Sequence, residues 1–170
     1  MKICAGFTLI ELMTTLVVAI ILTGIAAPSL TDLNLSYRAK SSVKTIQQTF
    51  QLARNQAISY GSRVTACPVQ SNRCVRDWNI GITVFIDSGE SNVIDGADEI
   101  IFATSPFNAD DIITYNRLAV RFQPDGLASG TNGTLKYCPL SSDNKYSKAV
   151  IINQSGRVRF STKENIRCDT

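Results

Sequence analysis

The sequence predicts an α+β protein, with one long N-terminal helix packed on a mostly antiparallel β-sheet head. Three observations carry this expectation. An apolar run from Phe7 to Ala27 opens the chain, with Glu11 as its only charge. Apolar residues then recur at alternating four- and three-residue steps as far as Ala57. After Gly61 the pattern changes to short β-prone segments separated by turn residues.

The opening run has 21 residues. At about 1.5 Å per residue it spans about 31 Å, the thickness of a bilayer's hydrocarbon core. In lipid the backbone must satisfy its own hydrogen bonds, so residues 7–27 are expected to form a transmembrane helix. A cleaved secretory signal, cut near Ala26, is the alternative. Three features oppose it. The run exceeds the roughly 7–15 apolar residues of a signal peptide. It holds a carboxylate, which costs about 2.5–3.5 kcal/mol if unpaired deep in lipid. The helical pattern also continues past the supposed cut.

Pro28 removes one helical hydrogen bond and tends to kink the helix. Beyond it, Ala39, Val43, Ile46, Phe50, Ala53 and Ala57 form the stripe of an amphipathic helix. Lys40, Lys44, Gln47, Gln48, Gln51, Arg54 and Asn55 lie mostly on the opposite side. Residues 28–60 are thus an amphipathic continuation, ending at Tyr60 with Gly61 as the capping glycine. Phe7 to Tyr60 would be about 80 Å long if straight.

Residues 61–170 read as the β-rich head. Strands are expected at Arg63–Cys67, Ile80–Ile86, Ile100–Thr104, Leu118–Gln123, Thr134–Cys138, Ala149–Asn153 and Arg157–Ser161. Pro124-Asp125-Gly126, Asn132-Gly133 and Ser155-Gly156 mark turns between them. The last two strands read as a hairpin, with Val158 and Phe160 pointing into the core and Arg157 and Arg159 sharing the other face.

Composition narrows the chemistry. The chain has no histidine, which removes Ser-His-Asp and Cys-His catalysis and imidazole zinc sites. No catalytic set is visible, so no enzyme, metal or cofactor is expected. The net charge of +3 identifies no partner by itself. Between Ile86 and Asp111 stand seven acids and no base: Asp87, Glu90, Asp95, Asp98, Glu99, Asp110 and Asp111. The spacing does not match a calcium-binding EF-hand loop, and a solvated acidic loop is the expectation, with subunit docking as the other use. The C-terminal stretch is basic. Arg157, Arg159, Lys163 and Arg167 are candidate phosphate contacts, and a charged edge strand that resists aggregation is the other reading.

The string Gly6-Phe7-Thr8-Leu9-Ile10-Glu11 resembles the processing motif of type IV prepilins and type II secretion pseudopilins. Asp77-Trp78-Asn79-Ile80-Gly81, Phe122-Gln123-Pro124-Asp125-Gly126, Leu135 to Cys138 and Gly156 to Arg159 resemble the minor-pilin family that contains GspH, FimT and FimU. The resemblance implies a type IV pilin-like fold. It also implies that prepilin peptidase removes residues 1–6, cutting between Gly6 and Phe7, after which Phe7 is N-methylated. Glu11 would then meet the N-terminal amine of a neighbouring subunit during assembly. The implied partners are major and minor pilins in a filament or priming complex, prepilin peptidase and the inner membrane, with the head in the periplasm. Gly156-Arg157-Val158-Arg159 is similar to the Gly-Arg-x-Arg of FimT-type pilins, which bind DNA in natural transformation. FimU-type subunits end similarly and serve in pilus priming. A minor pilin, a type II secretion pseudopilin and a DNA receptor in competence all remain open.

Cleavage would remove Cys4 and leave Cys67, Cys74, Cys138 and Cys168 in an oxidising compartment. Three pairings are open to them. A local Cys67–Cys74 bridge would leave Cys138 and Cys168 to tie the C-terminal tail to a strand. Chain entropy then gives about 2.5 and about 3.7 kcal/mol for the two loops.

Overall fold

A computed structural model of the protein describes residues 8–96, 98–128 and 130–168, without the side chains of residues 25–29. The chain divides into two compact units, Met1–Tyr37 and Arg38–Thr170. One helix, α1, runs Leu9–Tyr60 and its hydrogen-bonded backbone continues through Pro28.

In the second unit the helix buries the stripe that its sequence spacing lays on one face. Ala39, Val43, Ile46, Phe50, Ala53 and Ala57 are each at most 2% exposed. Burying side chains the size of Ile46 and Phe50 contributes about 1.5–3 kcal/mol each. Gly61, at φ 59°, ends the helix. The Ser62 N–H donates to the Ala57 carbonyl at 3.2 Å, closing the six-to-one bond of a Schellman cap.

Two four-stranded antiparallel sheets share a core with this face. The first comprises β1 (Val64–Cys67), β4 (Thr83–Ile86), β5 (Ile100–Ala103) and β7 (Val120–Phe122), in the order β5-β4-β1-β7. The second comprises β6 (Ile112–Tyr115), β8 (Gly133–Cys138), β9 (Lys148–Ile152) and β10 (Val158–Phe160), in the order β10-β9-β8-β6. A small hairpin, β2 (Val69–Gln70) and β3 (Arg73–Cys74), completes the head. Its two-residue turn holds Ser71 and Asn72 at φ 51° and 62°, the left-handed pair of a type I′ turn.

The helix stripe joins Val64, Ala66, Val84, Val120 and Phe122 of the first sheet and Leu135, Tyr137, Val150 and Ile152 of the second in one core. Trp78 lies within it, edge-on to Phe50 at 6.3 Å and to Tyr115 at 5.3 Å between ring centres. Cys67, Phe85 and Ala119 form a smaller cluster. Alternation explains the split, since successive residues of β1 and β4 point to opposite faces.

Three expectations need correction. The stretch expected as one strand from Ile80 begins with a 3-10 turn, Trp78–Ile80, capped by Asp77 and ended by Gly81 at φ 106°. The strand therefore starts at Thr83. Strand β6 is an addition to the expected set: Ile112–Tyr115 follows directly on the turn that the Asp111 N–H closes on the Asn108 carbonyl at 3.1 Å, at the end of the stretch read as an acidic loop. Phe160 is 45% exposed, whereas Val158 is buried. Phe160 stands opposite the core residue Val150, but β10 is an edge strand and its last residue overhangs the core.

Candidate functional site

The first candidate is the N-terminal segment. Thr8 caps the helix: its Oγ1 accepts the Glu11 N–H at 3.3 Å, and its carbonyl accepts the Leu12 N–H at 3.2 Å. Thr8 and Glu11 stand in the N-cap and N3 positions of a capping box, a signal present in the sequence as Thr-x-x-Glu but passed over. The carboxylate of Glu11 thus lies in the first turn, where the helix dipole favours an anion. Thr14, Thr15 and Thr23 return their hydroxyls to carbonyls three or four residues back, at 2.8–3.0 Å. That leaves no unsatisfied hydroxyl among them for an apolar environment to penalise. The described side chains from Leu9 to Gly24 are all exposed, among them Leu9 at 79% and Ile20 at 69%.

Among the described residues no helix is long and apolar enough to cross a membrane. The described side chains of the expected 7–27 span run only from Thr8 to Gly24. The processing residues Gly6 and Phe7 lie outside the described residues.

The second candidate is the basic C-terminal face. Cys138 and Cys168 are bonded, with Cα atoms 6.1 Å apart, and the Cys168 N–H donates to the Ser142 carbonyl at 2.8 Å. The tail from Ser161 to Cys168 is thereby held beside the second sheet. It walls a groove with that sheet, lined by Lys136, Lys163 and Arg167 and the single acid Glu164, over Ala149 and Ile151. Arg159 stands opposite Ile151 and so shares its face of the sheet. Arg157 does not join this groove. It lines a separate cavity with Gln51, Arg54 and Asn55 of α1. The four sequence candidates are therefore divided, three toward the tail groove and one toward the helix. Lys136 was not among them, because it lies on β8, distant in sequence.

Gly156 explains the start of the Gly-Arg-x-Arg string. Its φ is 75°, and a Cβ there would lie 1.8 Å from the Gly126 carbonyl oxygen. Arg54 fixes the same place, with Nε donating to the Gly126 carbonyl at 3.1 Å and Nη2 to the Ser155 carbonyl at 3.4 Å. Cys67 and Cys74 are also bonded, with Cα atoms 5.6 Å apart, across the foot of the small hairpin.

Within the acidic stretch Glu90, Asp95, Glu99 and Asp110 are exposed and Asp98 is half-buried, so the expected solvated loop needs correction only at its ends. Its two ends, Asp87 and Asp111, have fully buried side chains. Asp87 accepts from Thr65 Oγ1 at 2.5 Å, from the Asn92 N–H at 3.2 Å and from Arg63 at 3.3 Å. Arg121 Nε stands 3.6 Å from it. Asp111 accepts from Arg38 at 2.6 Å, from the Leu140 N–H at 3.1 Å and from the Tyr137 hydroxyl. Ser42 donates to that same hydroxyl at 3.1 Å. Burial, reinforced by the Asp111 contact, pushes the Tyr137 hydroxyl up to about 12. Each network ties elements that chain distance hides. Among the described residues no group of three or more Cys, Asp or Glu is placed to hold a metal ion.

A helix with an apolar N-terminal half and a second half buried in a β head defines a pilin-like subunit. The chain belongs to the family described as type II transport protein GspH, whose model matches residues 42–156. The model described as prokaryotic N-terminal methylation motif matches residues 1–27. No match was found among curated proteins. Among solved structures it is similar to the type IV minor pilin FimU of Pseudomonas aeruginosa strain PAO1. One crystal form aligns with a TM-score of 0.63 and 16% identity over 82% of this chain and 99% of that one. A second crystal form aligns with a TM-score of 0.60 and 15% identity over 76% and 99%. At these identities the likeness is one of fold. As a member of this family the chain is a structural pilin or pseudopilin that associates with other pilins, and not an enzyme.

Proposed function

We propose that this chain is a minor type IV pilin, anchored by residues 7–27 in the inner membrane, that takes part in pilus assembly or priming. The observation that carries the reading is the N-terminal segment itself. A methylation-motif match covers residues 1–27, and the described side chains within it are apolar and exposed around the whole helix, apart from Glu11 and the threonines. Such a surface needs lipid or neighbouring helices to cover it. Residues 1–6 are the leader that prepilin peptidase removes, Phe7 is methylated, residues 28–60 continue the helix and residues 61–170 are the periplasmic head. Glu11 pairs with the amine of a neighbouring subunit. The match to the GspH model equally supports a place as minor pseudopilin in a type II secretion machine, which uses the same anchoring and assembly steps.

Glu11→Ala should leave the head folded and lower incorporation into filaments by about tenfold or more. A buried amine left unpaired costs more than the about 1.4 kcal/mol that a factor of ten represents. Quantitative blotting of sheared filaments reads this, and normal incorporation would remove the role assigned to Glu11.

The tail groove favours a second activity, contact with DNA backbone, because Lys136, Lys163 and Arg167 line it against a single acid, Glu164. Titration of the full chain in detergent with duplex DNA at two salt concentrations is the test. Lys163→Gln/Arg167→Gln should weaken binding about tenfold and reduce its salt slope. Arg157→Gln, outside the groove, should matter less. Absence of wild-type binding at low salt would leave these cations without that activity.

A further inference from the structure

Two of the four edge strands of the main sheets, β10 and β5, have complementary surroundings. The first is β10. The Asn153 N–H bonds the Arg157 carbonyl and the Ser161 N–H bonds the Ala149 carbonyl, both toward β9. Alternation then turns the backbone groups of Val158 and Phe160 to the open side. That open side runs along α1 as a seam. At one end Lys40, Lys44 and Lys148 rim a cavity of about 360 Å³ with Val43, Ala149 and Phe160 as its apolar lining. At the other end Arg54 and Arg157 line a cavity of about 400 Å³. No described acid lines either cavity.

The second open edge is β5, the outer strand of the first sheet. It has the reverse character. Ile100 is 54% exposed and Phe102 42%, and the strand itself contains no lysine or proline of the kind that protects an edge. Its N-terminal shoulder carries Glu90, Asp95, Asp98 and Glu99, of which Glu90 pairs with Arg73 at 3.4 Å through side chains that both stay exposed. One edge therefore offers exposed apolar side chains beside negative charge, and the other offers an apolar trough beside positive charge.

We propose that β5 of one copy of this chain, with its acidic shoulder, docks in the α1–β10 seam of a second copy. The contact joins different surfaces on the two copies, so it leaves a free edge at each end and can repeat without closing. Open backbone groups supply pairing, Ile100 and Phe102 meet the exposed Phe160, and the acids meet the lysines. A nucleic acid would use the lysines but neither the apolar trough nor the strand edge. The inference rests on the filament reading for its setting, yet it concerns the head and not Glu11.

Sedimentation of the full chain in detergent tests it, with the Glu11→Ala variant run in parallel. Wild type and Glu11→Ala should both self-associate, about tenfold more weakly when salt rises from about 50 to about 500 mM. Lys44→Glu/Lys148→Glu should abolish association, as should Glu90→Lys/Glu99→Lys. All four positions are exposed, so both variants should fold, which circular dichroism checks. An equimolar mixture of the two variants should associate again. A monomeric wild type, or association that ignores both reversals, would overturn the proposal. So would loss of duplex DNA binding in the lysine variant with association unchanged. Normal incorporation of Glu11→Ala with this contact intact would overturn the Glu11 reading alone, and loss of this contact with Glu11→Ala incorporation impaired would overturn the present proposal alone.

Discussion

Asp111→Ala should destabilise the head by about 3–5 kcal/mol, measured as a fall in the denaturant midpoint at unchanged slope. The substitution removes the carboxylate that Arg38, the Leu140 N–H and the Tyr137 hydroxyl share. It strands a guanidinium whose side chain is only 26% exposed, and whose Nε already lacks a hydrogen-bond partner. It also orphans a buried phenol. Leu140 loses support too, since it holds a left-handed φ of 61° with its N–H on this carboxylate. Tyr137→Phe removes one hydrogen bond and should cost about 1 kcal/mol. A loss below that for Asp111→Ala would show that the network contributes little.

Gly156→Ala should cost about 3 kcal/mol or more. A left-handed φ of 75° costs an L-residue about 1–2 kcal/mol. The added Cβ would also lie 1.8 Å from the Gly126 carbonyl oxygen and 2.8 Å from Arg54 Nε, so the two turns must separate. Gly130→Ala is the calibrating control: φ is 77° but nothing lies within 4 Å, so strain alone should act. Equal costs for the two in thermal unfolding would mean that the close approach relaxes freely. The larger cost also bears on the Gly-Arg-x-Arg string. Its glycine is required by packing whether or not its arginines touch DNA.

What could be read from the sequence was what short-range periodicity carries. Six apolar residues at helical spacing located the buried face of α1, and a single glycine located its end. Strand stretches were found wherever alternating apolar residues were bracketed by turns. The buried acids were out of reach for a different reason. Arg38 and Asp111 are 73 residues apart, so nothing local distinguishes Asp111 from its exposed neighbour Asp110. The grouping of Lys136 with Lys163 and Arg167 depends on strand order, and the exposure of Phe160 depends on β10 being an edge. Register and order come from tertiary contacts, and alternation within one segment does not report them.

The clamp between Cys138 and Cys168 has a mechanical consequence. If a subunit is pulled along its chain, unravelling a strand releases length. The bridge closes a loop of sequence separation 30, which holds β9 and β10. At about 3.5 Å per residue, roughly 100 Å of contour is withheld from any pulling force while the bond stands. Under load, the second sheet can then yield only as far as β8, and the basic tail stays attached to the part of the head that bears the strain.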